Sequence, residues 1–512
     1  MNTEAQVIVV GAGPVGLTAA SLLARWGIQT LVLDRRPERE GAGSRSICQQ
    51  RDVLDVWTAV GAGRIAEEGV TWTTARTYYR DRELSSWTFE REGPLPPFVN
   101  LSQSRTEQIL DAAVAAQPLV EVRWGHEVTD VTQDASGVSV RCGQRVLRAP
   151  YALLCAGARA QPLRQALGLR FGGETFDDQF LICDVKADLP GWEDERRFYF
   201  DPSWNPGRQV LIHPCPGGTF RIDWQIAPDF IPAEADIARR IRQIIGDRPY
   251  ELLWHSTYRF HHRLADRMRV GRVLLAGDCA HLVAPFGARG LNSGVPDAEN
   301  AAWKLAFVLN GWAGPDLLES YHVERHAAAR ENLEVTGATM RFLAPRSVEE
   351  RMWRRAVLEG GRVAEVDSGR FAEPFWYVDS PLTTPEPSRP FAGRPPKGAS
   401  CPPAPGVILP DAALPGGRLR EVCRDGFLVL LGDMCDSSLF VQVLGKVTTA
   451  PLAVRGLAEM DGTGSLAERL GAGPDEAWLI RPDAHIAAII PHAGPESVAA
   501  AVSRALGGSP DT

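Results

Sequence analysis

The stretch Val7-Ile-Val-Val-Gly11-Ala-Gly13-Pro-Val-Gly16, continuing through Leu17–Trp26 and Thr30-Leu-Val-Leu33 to Asp34, decides the fold. Val7–Val10 is a short run of β-branched residues, suited to a strand buried on both faces. The glycines end it, and Leu17–Trp26 then mixes small and apolar residues as a helix does. A second apolar run, Thr30–Leu33, closes a strand–turn–helix–strand unit whose two strands must lie parallel. The glycines differ in what they allow. Gly11 permits the tight turn, Gly13 lets a pyrophosphate approach the backbone, and Gly16 lets helix and strand pack closely. Pro14 and Val15 open the helix, whose free N–H groups and partial positive charge suit an anion. Asp34, 23 residues after Gly11, is placed to accept hydrogen bonds from both hydroxyls of a ribose, with Arg35 beside it. The unit reads as a dinucleotide site.

A second glycine-rich region shows which dinucleotide. Gly271-Arg-Val-Leu-Leu-Ala-Gly277-Asp278-Cys-Ala-His281 delivers Asp278 to the carboxyl end of a strand, where doubly wound sheets bind ligands. Pro285-Phe-Gly287-Ala-Arg-Gly290-Leu-Asn-Ser-Gly294 then opens another helix. NAD alone has no use for a second helix N-terminus so far along the chain. A flavin does, because its reduced ring system gains negative charge. Between the two regions, Val138–Val140 and Gln144–Leu147 flank Gly143 as a hairpin, and Tyr151–Ala156 is another buried strand. From about 176 to 268 the pattern turns to alternating, aromatic-rich segments such as RRFYF and FRIDWQI, which suit an antiparallel sheet.

The 512 residues imply more than one domain, and a net charge of −8 gives no basic footprint for nucleic acid. Nine cysteines, an odd number without CxxC or zinc spacing, indicate free thiols in a reducing cytosol and no metal site. The first residues carry an acid where a secretion signal carries basic charge, and no apolar run reaches the length of a membrane span. A cytoplasmic protein with no membrane and no nucleic-acid partner is expected. Nine prolines fall in the 27 residues Ser380–Gly406, which reads as a stiff interdomain linker.

These motifs together resemble the class A flavoprotein aromatic monooxygenases, the para-hydroxybenzoate hydroxylase-like family, in the branch that ends in a thioredoxin-like domain and includes phenol, 3-(3-hydroxyphenyl)propionate and polyketide hydroxylases. GDCAHLVAPFGARGLNSG at 277–294 matches the second FAD signature, in which Asp278 would hold the ribityl chain. LSQSRTEQIL at 101–110 supplies Gln103 against the flavin, and GSRS at 43–46 supplies Arg45. The resemblance also implies FAD contacts from Val128, Pro285, Gly290, Leu291 and Asn292. The tail, with APGVILPDAALPGG, FLVLLGD and WLIRPDAHIA, resembles the thioredoxin-like domain; Cys423 and Cys435 form no CxxC there, so it would be redox-inert.

The implied fold is α/β: a Rossmann-like FAD-binding domain of the glutathione-reductase type (1–75, 100–175 and 270–345) interleaved with a mainly antiparallel substrate-binding sheet (76–99 and 176–269). A helical extension (346–379), the Pro-rich linker (380–406) and the thioredoxin-like domain (407–512) follow. Three departures stand out. Ala156 replaces the Asp of the family's Asp-Gly pair, Ala288 replaces a glycine, and Arg289 replaces a glutamine.

The resemblance implies that NADPH or NADH, bound transiently, reduces FAD, and that O2 adds to give a C4a-hydroperoxide whose oxygen passes to an aromatic ring. The protein must then exclude water and favour the phenolate of a small aromatic substrate. Candidates for activating a phenol are Tyr199, His213, Asp223, His255 and Tyr258, with Pro285 bordering the flavin. Trp224, Phe286 and Arg289 are candidates for the substrate pocket, and Trp204 and Phe200 could line it too. His261-His262 resembles a metal pair only superficially. Other readings are a flavin-dependent halogenase, since Trp224-Gln-Ile-Ala-Pro228 faintly resembles that family's WxWxIP, an oxidase, or a non-catalytic FAD-binding protein. A monomer or a homodimer is expected.

Overall fold

In a computed structural model, the structure describes residues 5–39, 41, 46–88, 93–362, 374–395, 401–462 and 464–508. Val7–Val10 is a central strand with all four residues buried, and the turn at Gly11 feeds the helix Pro14–Arg25. Thr30–Leu33 returns parallel to it on one side and Tyr151–Leu154 on the other. Val120–Arg123 extends the sheet beyond Thr30–Leu33, and Val273–Leu275 and Arg269–Val270 extend it beyond Tyr151–Leu154, giving six strands of which only the last pair is antiparallel. The long helix Arg289–Leu309 lies against Pro14–Arg25, so both glycine regions meet at one end of this sheet. Burying each large aliphatic side chain of such a strand contributes about 1.5–3 kcal/mol.

A second sheet has eight strands in the order His281–Leu282, Tyr250–Ala265, Phe171–Ala187, Thr219–Ile226, Gln209–Cys215, Glu195–Phe200, Thr74–Tyr79 and Arg82–Thr88. All neighbours are antiparallel except Glu195–Phe200 with Thr74–Tyr79. One face carries Leu181, Cys183, Ile222 and Trp224 against Ile237, Ile241 and Ile245 of the helix Glu234–Ile245. The other face turns toward the first sheet. The hairpin expected around Gly143 is present as Gly137–Cys142 with Arg145–Ala149, and Val128–Asp134 makes it a three-stranded sheet.

The C-terminal part holds a four-stranded mixed sheet, Leu452–Gly456, Phe427–Leu431, Ala477–Ile480 and Ile486–Ile490, whose first pair is parallel. Phe440, Leu444, Val498 and Val502 cover one face and pack with Trp303 and Phe307 of the helix Arg289–Leu309. The Pro-rich segment is not a free spacer. Leu382 joins that same core, the Thr384 N–H donates to the Ala487 carbonyl at 2.8 Å, and Arg389 bonds Glu476 at 2.8 Å while lying over Trp478. Among its described residues proline keeps the backbone irregular, as its lack of N–H donors requires, yet Leu382 and Arg389 dock it.

Candidate active site

A single cavity of about 1610 Å³ runs from the Gly11–Val15 turn, past Asp278 and Pro285–Leu291, to the inner face of the eight-stranded sheet. Gly11 adopts φ +111°, and a Cβ there would stand 2.3 Å from the Cys155 carbonyl oxygen. A Cβ on Gly16 would stand 1.9 Å from the Gly11 oxygen, so helix and turn touch backbone to backbone. Gly13 has open space where its Cβ would be, and it lines the cavity. Tight turn, open approach and close packing thus fall on the three glycines as their spacing implies.

Asp34 lies on the cavity wall beside Arg35, and its carboxylate accepts from the Ala12 N–H at 2.7 Å and from the Arg36 N–H, Nε and Nη2 at 2.9 Å each. Burial alone would raise its pKa, but the side-chain and backbone bonds from Arg36 and the bond from Ala12 hold it below the usual carboxylate range. A ribose hydroxyl bonding here would share that carboxylate with Arg36. Gln103 starts the helix Gln103–Ala115 and lines the cavity; its Nε2 donates to Glu107 at 2.9 Å and its Oε1 accepts from the Ser46 N–H at 3.2 Å. Val128, Asp278, Pro285, Gly290 and Leu291 also line it. Arg45 lies outside the described residues.

Asn292 acts one layer back. Its Oδ1 accepts from the Gln50 N–H at 2.9 Å and its Nδ2 donates to the Cys48 carbonyl at 2.9 Å, which ties the strand Cys48–Gln50 to the helix Arg289–Leu309. Ala288, where the family has glycine, caps that helix at φ 57°. The loop beneath is held by Asp297, fully buried on the same helix: it accepts from the Gly277 N–H at 2.9 Å and from Arg325 Nε at 2.7 Å, and meets His281 Nε2 at 2.7 Å. Burial opposes its ionisation, but Arg325 and His281 outweigh burial and keep it charged.

At the sheet end, Phe286 meets Phe180 and Phe260 edge-on at 5.7 Å each, and all three line the cavity together with Tyr258, His213 and Asp223. Several expected residues sit elsewhere. Trp224 points to the opposite face of its strand, into the core against Glu234–Ile245, because strand side chains alternate. Tyr199 stacks on Tyr78 at 4.7 Å and contacts Trp204 on that same side. His255 is exposed on the outer face, and Phe200 packs edge-on against Phe342. Arg289 is buried and donates to Asn332 Oδ1 at 2.7 Å, off the cavity wall. His261 bonds Thr175 and His262 packs on Phe176; among the described residues no group of metal-ligating side chains assembles. Arg36, Arg196, Arg221, Leu211 and Trp254 line the cavity although no motif marks them. In Thr219-Phe-Arg-Ile-Asp-Trp-Gln-Ile226 the strict polar–apolar alternation is the available signal: the polar members share the face that includes Arg221 and Asp223.

The chain matches the FAD binding domain family over residues 4–336. It belongs to that family. FAD is therefore the cofactor of this FAD-binding protein, and the turn at Gly11–Gly16, with open space at Gly13, fits its pyrophosphate. Curated relatives include a 3-(3-hydroxy-phenyl)propionate/3-hydroxycinnamic acid hydroxylase from Mycobacterium sp. (strain JLS), 30% identical over 380 residues that cover 71% of this chain and 64% of the relative. One of the same name from Comamonas testosteroni is 29% identical over 360 residues, covering 67% of this chain and 59% of the relative. The FAD-binding protein thus spans less than two thirds of the length of these relatives. Among solved structures it is similar in fold to the flavin-dependent monooxygenase PieE in complex with FAD and substrate (TM-score 0.86, 24% identity, 99% of this chain and 100% of that one). It is also similar to aklavinone-11 hydroxylase with FAD and aklavinone (TM-score 0.78, 24% identity, 99% and 100%). Among the described residues no helix is long and apolar enough to cross a membrane.

Proposed function

We propose that this protein is an FAD-dependent monooxygenase that consumes NADPH or NADH and O2 to hydroxylate a phenolic or polycyclic aromatic compound. The observation that carries this reading is the continuity of the cavity: one space joins the dinucleotide turn to a wall of aromatic rings and polar groups. Its 1610 Å³ exceeds the roughly 300–1,000 Å³ of an ordinary small-molecule pocket, which suits a cofactor and a substrate held side by side. The hydroxylase names of the curated relatives point the same way.

Bound FAD would supply the electron transfer and oxygen activation that no side chain can. The chain's own work is to bind, orient and dry the site. The Gly11–Gly16 turn would hold the pyrophosphate. The N-terminus of Arg289–Leu309, at Gly290 and Leu291, presents backbone N–H groups where negative charge on a flavin would gather. Phe180, Phe260 and Phe286 would keep water from the reacting ring. Gly-x-Gly-x-x-Gly occurs once in the sequence, at the turn assigned to FAD, in keeping with transient NAD(P)H. The halogenase reading leans on Trp224, which this fold commits to packing on the far face.

The test is to add NADPH or NADH to the FAD-loaded protein under air with a panel of phenols and fused-ring hydroxyaromatics. The expected result is flavin reduction accelerated by at least one compound and a product heavier by one oxygen atom. Absence of flavin reduction with every compound would overturn the reading. Nine free thiols support a cytoplasmic location, and the protein acts as a monomer or homodimer, a choice that light scattering reads directly.

A further inference from the structure

Arg325, on the helix Glu319–Leu343 and 2% exposed, joins three parts of the chain that lie far apart in sequence. Its Nε donates to Asp297 Oδ1 at 2.7 Å, and Asp297 Oδ2 accepts from the Gly277 N–H. Its Nη2 donates to the Ser293 carbonyl at 3.1 Å and to Ser293 Oγ at 3.3 Å. Asn332 Nδ2 donates to that same hydroxyl at 3.2 Å, and Asn332 Oδ1 holds Arg289. The third nitrogen, Nη1, donates to the Tyr377 hydroxyl at 3.0 Å and has no other acceptor among the described residues. Two arms of the fork thus end beside Asp278 and beside Ala288 and Gly290, which line the cavity. The last ends on Tyr377, beyond the 4–336 stretch that matches the FAD binding domain family.

Tyr377 takes its place from the C-terminal part. Its N–H donates to the Gly406 carbonyl at 2.7 Å, the Gly406 N–H donates to the Ile486 carbonyl at 2.7 Å, and its own carbonyl accepts from Thr383 Oγ1 at 2.7 Å. The ring lies under Arg481 at 4.8 Å and against His485 at 4.2 Å. The hydroxyl is therefore placed by the strands Ala477–Ile480 and Ile486–Ile490 and the turn between them. A guanidinium is a rigid planar fork, so its orientation is settled only when each arm has an acceptor. Without the tyrosine hydroxyl Arg325 keeps Asp297 and Ser293 but leaves a buried N–H unsatisfied, and a tilt that relieves it moves both loops. The movement reaches the phosphate turn as well. A Cβ on Gly277 would stand 3.1 Å from Val15 Cγ2, so little slack separates loop from turn.

We propose that Tyr377 is a positioning residue of the flavin site: through Arg325 it sets the Gly277–Asp278 and Ala288–Gly290 loops where bound FAD needs them. Docking of the C-terminal part and binding of FAD then strengthen each other. Coupling of this kind is reciprocal, so whatever the docking adds to FAD affinity, bound FAD returns to the docking. Tyr377 is off the cavity wall and acts only through Arg325. The inference needs FAD binding alone and stands whether or not the protein hydroxylates an aromatic compound.

The experiment removes one hydroxyl and compares it with a matched loss nearby. Tyr377→Phe keeps the ring against Arg481 and His485, whereas Thr383→Val deletes a buried hydrogen bond of the same segment without touching Arg325. FAD is stripped from the full chain and titrated back, read by flavin fluorescence and visible circular dichroism, and backbone hydrogen exchange is compared with and without FAD. Tyr377→Phe should raise the FAD dissociation constant about fivefold or more, the lower end of ordinary coupling between sites, and alter the flavin circular dichroism. Thr383→Val should do neither at a comparable loss of Tm. In the wild type, FAD should slow exchange in residues 377–383 and in Ile486–Ile490; that slowing should vanish in Tyr377→Phe and persist in Thr383→Val. Combined with Arg325→Lys, Tyr377→Phe should have no further effect on FAD affinity. An affinity of Tyr377→Phe within about twofold of wild type, an equal loss in Thr383→Val, or an undiminished effect beside Arg325→Lys overturns the assignment. If Tyr377→Phe does not fold, wild-type exchange decides: no FAD-dependent slowing in residues 377–383 overturns it.

Discussion

Asp223 is a carboxyl that the fold keeps largely protonated at acidic pH and half-protonated near pH 7, and this has a cost in stability with a definite sign. Its folded pKa, about 7, lies above its unfolded value near 3.8, so protonation favours the folded chain. That stability is fully present below about pH 4 and is lost as pH rises through about 7. Replacing Asp223 with Asn removes the dependence. The apoprotein of Asp223→Asn should therefore gain more over wild type at pH 8 than at pH 5, by about 1–3 kcal/mol, visible as a difference in Tm shift between the two pH values. Gly16 gives a second expectation. A Cβ there meets backbone 1.9 Å away with no flexible atom to yield, so Gly16→Ala should cost at least about 1–3 kcal/mol and yield protein with little bound flavin, read as the ratio of visible to ultraviolet absorbance. Glycines of this kind were legible in the sequence because their spacing alone states a backbone constraint. Trp224 was not: residue type suggested a pocket lining, and only the parity of its position along the strand shows that Asp223, one residue earlier, has the cavity and Trp224 has the core.

Among the elements, the helix Arg289–Leu309 bears the most. Its first turn lines the cavity at Gly290 and Leu291, Asn292 staples it to Cys48–Gln50, Asp297 holds the Gly277 and His281 loop, and Trp303 enters the C-terminal core. Asp297→Ala would leave Arg325 buried with its Nε unpaired and release the Gly277 N–H. A loss of about 3–5 kcal/mol is expected, with weakened FAD retention during gel filtration; wild-type retention at wild-type Tm would contradict it. The parallel strands of the first sheet were readable because strands buried on both faces become continuous apolar runs such as Val7–Val10. The inner-sheet strands were readable in type, yet their order was not, since the 17-residue Phe171–Ala187 pairs with both Tyr250–Ala265 and Thr219–Ile226, and nothing in local sequence announces such distant partners.

At the scale of the whole molecule, the C-terminal part is joined to the flavin-side helices by buried charge. Glu324, on the helix Glu319–Leu343, accepts from Lys304 at 2.7 Å and from Arg481 at 2.6 and 2.9 Å, while Ser380 of the Pro-rich segment donates to it at 2.5 Å. Asp483 pairs with Arg481 and accepts from Trp303 Nε1 at 3.1 Å, and Arg424 joins Asp55 at 2.7 Å to Glu299 at 2.8 Å. Burial opposes the Glu324 charge, but Arg481 and Lys304 prevail and hold its carboxyl well below the usual range. Its stabilising share is thus present above about pH 4.5 and lost as pH falls below. Arg481→Met leaves these carboxylates under-compensated, and a loss of about 3–5 kcal/mol is expected. Flavin release and loss of secondary structure should remain one transition; a C-terminal melt that precedes flavin release would show that the two parts are independent. Proline content suggested separation here, because composition reports backbone freedom and is blind to which side chains a segment will dock.

That pairing also sets an order of events in the cell. The chain is synthesised from its N-terminus, so Glu324 emerges 157 residues before Arg481. Until then its carboxylate has Lys304 alone among its cationic partners. The charge cluster around Glu324 is therefore complete only when translation has delivered the strand Ala477–Ile480 and Arg481 beyond it, and until then the buried end of Glu319–Leu343 lacks its principal counter-ion.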